Sequence, residues 1–130
     1  MDTSVWSLAL RRDAPPDVPE VGGLRSALTE GDLTFTTGIV LQELLQGFQG
    51  PRARRTILDH FADLPLLTPS RSDHVEAAGL RNTCRRRGIQ IGTIDALLAQ
   101  LCIQHGLTLL ATDRDFARMT DVCALKLWHA

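Results

Sequence analysis

The strongest hydrophobic pattern in the chain lies near its C-terminus. Residues 93–105 are almost wholly apolar, which predicts a helix buried on nearly every side. Thr93 is placed to cap the start of this helix, and Gly106 is suited to a left-handed conformation at its end. The apolar run at 107–111 predicts a short buried strand. Asp95 nevertheless lies in the first turn of this helix. The sequence therefore predicts an acidic side chain at the start of a helix that is otherwise buried.

The rest of the chain alternates between helical and extended patterns. Thr36 or Thr37 is placed to cap a helix over 38–47, and a helix over 70–87 is expected to turn Val75, Ala78 and Leu80 toward the core. Such alternation is typical of a mostly parallel sheet with helices on both faces, which is an α/β fold. The further predicted elements are helices at 4–10, 21–30 and 51–62, strands at 33–35, 64–67 and 124–128, and a helical turn at 116–119.

Composition narrows the class of protein. The 130 residues, 44% of them hydrophobic, suit one domain over 1–130 with its own core. The sequence has no apolar run of membrane-spanning length and no secretory signal pattern, so we expect a cytoplasmic protein with no membrane partner. Cys84, Cys102 and Cys123 lack the spacing of metal ligands and are expected to be small buried residues. The net charge of −1 leaves nucleic-acid binding open, because acidic site residues would mask basic patches in the total.

Several acids occupy positions that are unusual for solvated side chains. Glu43 falls on the apolar face formed by Ile39 and Val40, where a carboxylate is costly unless its charge is compensated. The others lie at the ends of elements, so the candidate site comprises Asp2, Glu43, Asp95 and Asp113, with Asp115 as a fifth member. Clustered carboxylates repel one another and require protons or cations. Oxygen ligands without Cys or His suit Mg²⁺ or Mn²⁺, which can activate water and neutralise charge on a phosphodiester.

The motifs that contain these acids resemble those of the PIN-domain ribonucleases, and most closely those of the VapC toxins of toxin–antitoxin pairs. They follow one another in the same order over essentially the whole chain, at residues 2–6 (DTSVW), 38–47 (GIVLQELLQG), 94–99 (IDALLA) and 110–116 (LATDRDF). The resemblance implies a PIN-like three-layer domain.

The resemblance also implies roles and partners. Asp2, Glu43, Asp95 and Asp113 would form the catalytic, metal-binding set, and Asp115 would be an auxiliary acid beside it. The expected activity is Mg²⁺- or Mn²⁺-dependent endoribonuclease cleavage of structured RNA, either tRNA or rRNA. The expected protein partners are a cognate antitoxin and a second copy of the chain in a homodimer.

The sequence departs from the family pattern at its start. Family members begin with a short apolar strand that ends in the first acid, whereas only Met1 precedes Asp2 here. We therefore expect a first strand that is truncated or missing, and we expect Asp2 to be the least well positioned acid. Either the true start lies upstream or the protein is a degraded copy.

Two other functions remain open from the sequence. A PIN-like protein with impaired catalysis would bind only RNA or an antitoxin. A phospho-receiver domain also places acids at strand ends, but Lys126 is the only lysine after Asp113, which disfavours it. Phosphate contacts could come from Arg52, Arg54, Arg55, Arg85, Arg86, Arg87 or Arg114.

Overall fold

A computed structural model describes residues 35–111 and 114–127, which form helices joined to short parallel strands. This α/β architecture agrees with the prediction from the alternating pattern. Predictions for the first 34 residues, including the truncated first strand and the position of Asp2, lie outside the described part. The helices are α1 (Gly38–Gly47), α2 (Pro51–Phe61), α3 (Arg71–Arg86), α4 (Thr93–His105) and α5 (Arg114–Met119), and the strands are β1 (Thr36–Thr37), β2 (Leu66–Leu67), β3 (Thr108–Leu109) and β4 (Lys126–Leu127).

The strands form two parallel pairs within the described residues. In the first pair, β1 lies beside β2 with Thr36 opposite Leu66. In the second pair, β3 lies beside β4 with Thr108 opposite Lys126. The parallel direction requires a crossover between paired strands, and helices supply that crossover in both cases. Of the strand predicted at 33–35, only Phe35 belongs to the described residues, and it directly precedes β1.

Helix α1 packs on α2 and α4 through a cluster of apolar side chains. The helix starts at Thr37, whose side-chain oxygen accepts a hydrogen bond from the Val40 backbone N–H at 3.3 Å. Thr37 is therefore the cap, one of the two residues predicted for that role. The apolar side chains below α1 form a group that we call the α1 cluster, consisting of Val40, Leu44, Ile57, Phe61, Leu98 and Leu110.

Helix α4 is the element on which the rest of the described chain packs. It contributes Leu98 to the α1 cluster and Ala96 to a second group that includes residues of α3 and α5. The prediction that this helix is buried on most sides agrees with its buried residues. We call the second group the α5 cluster; its buried members are Cys84, Ile89, Ile91, Ala96, Ala99, Cys102, Leu109, Phe116, Met119 and Leu125.

The ends of α4 agree with the sequence at one terminus and differ at the other. Gly106 has φ 64° and ψ 31°, the predicted left-handed conformation. Thr93, however, is the first residue of the helix rather than its cap. The cap position belongs to Gly92, which makes no side-chain capping bond. The predicted capping role of Thr93 is therefore wrong by one residue.

Helix α3 turns a different face to the core from the one predicted. Val75 is 63% exposed, Ala78 is exposed and Leu80 is only half-buried. The buried positions include Ala77 and Cys84, which lie two turns apart. We attribute the difference to side-chain size, because small residues on one stripe allow α4 to pack closely, whereas Val75 is a larger apolar residue on another stripe.

The burial of the cysteines largely agrees with the prediction that they are small buried residues. Cys84 and Cys102 are buried, and Cys123 is half-buried. Burial raises the pKa of the Cys84 thiol and the pKa of the Cys102 thiol. Both side chains are therefore neutral members of the α5 cluster at pH 7.

A reciprocal pair of hydrogen bonds fixes the start of α3. The Ser70 hydroxyl accepts from the Asp73 N–H at 3.1 Å, and the Ser70 N–H donates to Asp73 Oδ2 at 2.8 Å. The backbone hydrogen bond from Ser70 lowers the pKa of Asp73, and nearby His105 lowers it further. A lowered pKa means that this contribution to stability is present near neutral pH and is lost as the pH falls through that pKa.

Replacing Ser70 with alanine is expected to lower the free energy of unfolding by about 1 kcal/mol, because the Asp73 N–H loses its acceptor. Chemical denaturation at neutral pH measures this change. Ser72→Ala is the matched control, since Ser72 is exposed inside the first turn of the same helix. An equal loss in both variants would show that the capping bond does not stabilise the fold.

Candidate active site

The start of α4 lies at the carboxyl ends of the parallel strands. Thr37 at the end of β1 and Leu67 at the end of β2 line the same cleft as Thr93. At its other end, α4 turns at Gly106 and the chain enters β3, so the start of α4 and the end of β3 face the same way. This edge is where open α/β folds bind ligands.

Asp95 occupies the first turn of α4 and is half-buried. Its neighbours in sequence belong to different packing groups, with Ile94 against the α1 cluster and Ala96 in the α5 cluster. The Asp95 carboxylate lies near the turn before α4, with Oδ2 3.9 Å from the position that a Cβ on Gly92 would occupy. Its position in the first turn is also favourable for a negative charge, because the helix dipole is positive there.

Glu43 is half-buried on α1, beside the fully buried Leu44. The sequence placed it on the face shared with Ile39 and Val40, and Val40 is indeed buried while Ile39 is half-buried. Glu43 thus lies at the margin of the packed face rather than in its centre. The α1 cluster joins α1 to α4 through Leu98, which connects the helix of Glu43 to the helix of Asp95.

Asp115 lies in the first turn of α5 and is also half-buried. The next residue, Phe116, is 1% exposed and belongs to the α5 cluster together with Ala96. Phe116 therefore anchors the first turn of α5 in the same apolar group to which α4 contributes Ala96. Asp115 and Asp95 are carried by two helices that share one core group.

Two predicted acids, Asp2 and Asp113, lie outside the described residues. Across 35–111 and 114–127, the structure brings together no group of three His, Cys, Asp or Glu side chains that could hold a metal ion. The site predicted from the sequence draws on both described and undescribed residues, so its assembly stays a prediction. What the described part provides is Glu43, Asp95 and Asp115, each half-buried and each on a helix packed in the core.

A cleft of about 620 Å³ adjoins the start of α4. One wall of it is formed by α3, including Arg81, whose Nε donates to the Ile91 carbonyl oxygen at 2.9 Å. No sequence pattern distinguishes Arg81, because its half-burial and its bond to the 87–92 turn depend on how α3 packs on α4. Its position four residues before Arg85 was the only available signal.

The donor set of the described acids fits a hard divalent cation. Glu43, Asp95 and Asp115 offer carboxylate oxygens, which are the ligands that Mg²⁺ and Mn²⁺ prefer. Half-burial limits the water around each of these carboxylates, and a bound cation would offset the cost of a partly desolvated negative charge.

The comparison with known families agrees with this chemistry. The model of the PIN domain family matches residues 1–122, a span that contains every acid of the predicted site. PIN domains are generally metal-dependent nucleases, which supports a hydrolase. Over the described residues, no helix combines the length and the apolarity required to cross a bilayer. Since the match covers most of the chain, the protein belongs to the PIN domain family.

Proposed function

We propose that the protein is a Mg²⁺- or Mn²⁺-dependent endoribonuclease that hydrolyses structured RNA, tRNA or rRNA, as the VapC-type toxin of a toxin–antitoxin pair. The observation that carries the proposal is the position of Asp95. This half-buried acid lies at the carboxyl ends of the strands, on the helix that joins the two core clusters. The family match over 1–122 supports the nuclease class.

The acids have separable roles in this proposal. Asp2, Asp95 and Asp113 would be the principal metal ligands, with Glu43 and Asp115 completing the set. A bound divalent cation supplies an activated water and neutralises charge on the scissile phosphate. The carboxylates would hold this cation, and the packed helices that carry Glu43 and Asp95 limit the movement of these two acids.

The partners follow from the same assignment. The RNA substrate would approach the cleft at the carboxyl ends of β1 and β2. We further propose that an antitoxin docks an amphipathic segment in a groove among the N-terminal helices, and that two copies form a homodimer. Exposed apolar side chains that such contacts would cover include Leu58, Leu66 and Val75. The proposed location is the cytoplasm.

RNA cleavage by the purified chain tests the proposal. The protein is treated with EDTA, and total tRNA and rRNA are then incubated with it before and after excess Mg²⁺ or Mn²⁺ is added. We expect discrete cleavage products only after the metal is added. Undiminished cleavage in EDTA would contradict the metal dependence. RNA binding without cleavage under any of these conditions would instead favour the catalytically impaired PIN-like binding protein.

A further inference from the structure

Arg81 is a fixed positive charge at the wall of the cleft beside α4. Its side chain is half-buried, and its Nε is held by the Ile91 carbonyl oxygen at 2.9 Å. The bond to Ile91 uses only the Nε–H, so the terminal N–H groups remain as donors for a ligand.

Most residues that line the cleft are apolar, and its α3 wall carries a strip of polar side chains. The polar residues on its α3 wall are His74, Arg81 and Asn82, and no Asp or Glu is among its lining residues in the described part of the chain. An arginine fixed in a cleft without acidic neighbours is suited to bind phosphate or carboxylate groups through its planar fork. The position beside the start of α4 favours the phosphodiester of a substrate over an unrelated anion.

Arg85 continues the same row of α3. His74, Ala78 and Arg81 line the cleft at helical spacing, and Arg85 follows Arg81 by four residues on that face. Four residues correspond to about 6 Å along the helix axis. Arg85 is exposed, and it extends the positive charge of Arg81 from the cleft to the surface.

Arg86 faces a different part of the molecule although it is next in sequence. It lines a second cleft together with Glu76 and Thr83, and its Nη2 donates to Thr83 Oγ1 at 3.2 Å. A negatively charged ligand on that side would meet the Glu76 carboxylate. Arg86 thus has the same charge as Arg85 and is also exposed. It faces the second cleft, however, where the Glu76 carboxylate is nearby.

The α3–α4 geometry brings the Arg81–Arg85 row to the edge where Asp95 lies. The two helices pack against each other and are joined by the short 87–92 turn, so they run in opposite directions. The end of α3 therefore lies beside the start of α4. The hydrogen bond between Arg81 and Ile91 closes this end of the helix pair.

We propose that Arg81 and Arg85 bind the phosphodiester backbone of the RNA substrate and guide the strand into the cleft beside Asp95. This inference rests on the proposed ribonuclease function and adds the surface along which the RNA lies. Both arginines act as positioning residues, so their removal weakens RNA binding and its salt dependence. Base-specific contacts are not part of this role.

Titration of a fluorescein-labelled RNA hairpin with the full chain tests this surface. Anisotropy is recorded in EDTA, which prevents metal-dependent cleavage, over a series of KCl concentrations. Arg85→Gln is expected to reduce the slope of log K against log salt by about 0.7 to 0.9, which is about a five- to eightfold loss of affinity at ~0.1 M salt. Adding Arg81→Gln is expected to roughly double the change in slope.

Arg86→Gln is the matched control, because Arg86, although one of the arginines that the sequence offered as a phosphate contact, faces the second cleft with Glu76. We expect its salt slope to stay close to that of the wild type. Equal losses in Arg85→Gln and Arg86→Gln, or no loss in either, would overturn the proposed surface even if the wild type binds and cleaves RNA. A wild type that binds no RNA at low salt would contradict the ribonuclease function itself. Since Arg81 also holds the 87–92 turn, the comparison of Arg85 with Arg86 is decisive.

Discussion

The Asp95→Asn variant is expected to cleave RNA at least ~100-fold more slowly than the wild type in Mg²⁺ or Mn²⁺. Loss of a group that merely hydrogen-bonds to a metal ligand costs about 10- to 100-fold in affinity or activity, so loss of a ligand's own charge should cost at least the upper value. Asparagine keeps the size of the side chain and its place in the first turn of α4. Initial cleavage rates at saturating metal measure the effect.

Asp59→Asn is the control for this substitution. Asp59 is an exposed residue of α2 and has no part in the proposed site. We expect its cleavage rate to equal that of the wild type. Thermal unfolding of both variants separates a loss of chemistry from a loss of fold. If a folded Asp95→Asn protein cleaved RNA at the wild-type rate, Asp95 would have no role in the mechanism.

The Ile57→Ala variant is expected to lower the free energy of unfolding by about 2 to 5 kcal/mol. Ile57 is 1% exposed in the α1 cluster, so truncation leaves a cavity among side chains from α1, α2 and α4. The same cluster holds the helix of Glu43 against the helix of Asp95. Denaturant unfolding measures the stability, and we also expect slower cleavage because Glu43 would be less well held.

Leu58→Ala provides the comparison at the next residue of the same helix. Leu58 is 41% exposed and is not a member of the α1 cluster. Its truncation should change the free energy of unfolding by about 0.5 kcal/mol or less. Similar losses for the two variants would mean that the α1 cluster does not determine how α2 packs.

Local patterns in the sequence predicted several elements closely. The predicted bounds of α1 coincide with the observed Gly38–Gly47, and the predicted conformation of Gly106 is confirmed. Both predictions rest on short-range physics, namely a capping hydroxyl at Thr37 and a residue type that tolerates a positive φ. Neither depends on what packs against the helix.

Features that depend on packing between elements were not predictable in the same way. The buried face of α3 includes Ala77 and Cys84 rather than Val75, because close contact with α4 selects small side chains. The fixed orientation of Arg81 depends on the Ile91 carbonyl, which the turn before α4 brings into reach. Single-sequence periodicity contains no information on either contact.

The description of the candidate site depends both on local sequence patterns and on packing between elements. Its acids were identified from their unusual positions and from resemblance to PIN-domain ribonucleases, and the family match over 1–122 supports the class. The structure adds that Glu43, Asp95 and Asp115 are half-buried on three helices connected through α4. The joint binding of a metal by these acids with Asp2 and Asp113 remains a prediction.

Mn²⁺ binding tests this central claim most directly. Electron paramagnetic resonance of free Mn²⁺ during a titration gives the bound metal for the wild type, Asp95→Asn and Asp59→Asn, without any RNA substrate. We expect saturable binding by the wild type and Asp59→Asn, and binding at least ~10-fold weaker by Asp95→Asn. Absence of saturable binding to the folded wild type, or equal affinity in all three proteins, would contradict a metal site that contains Asp95.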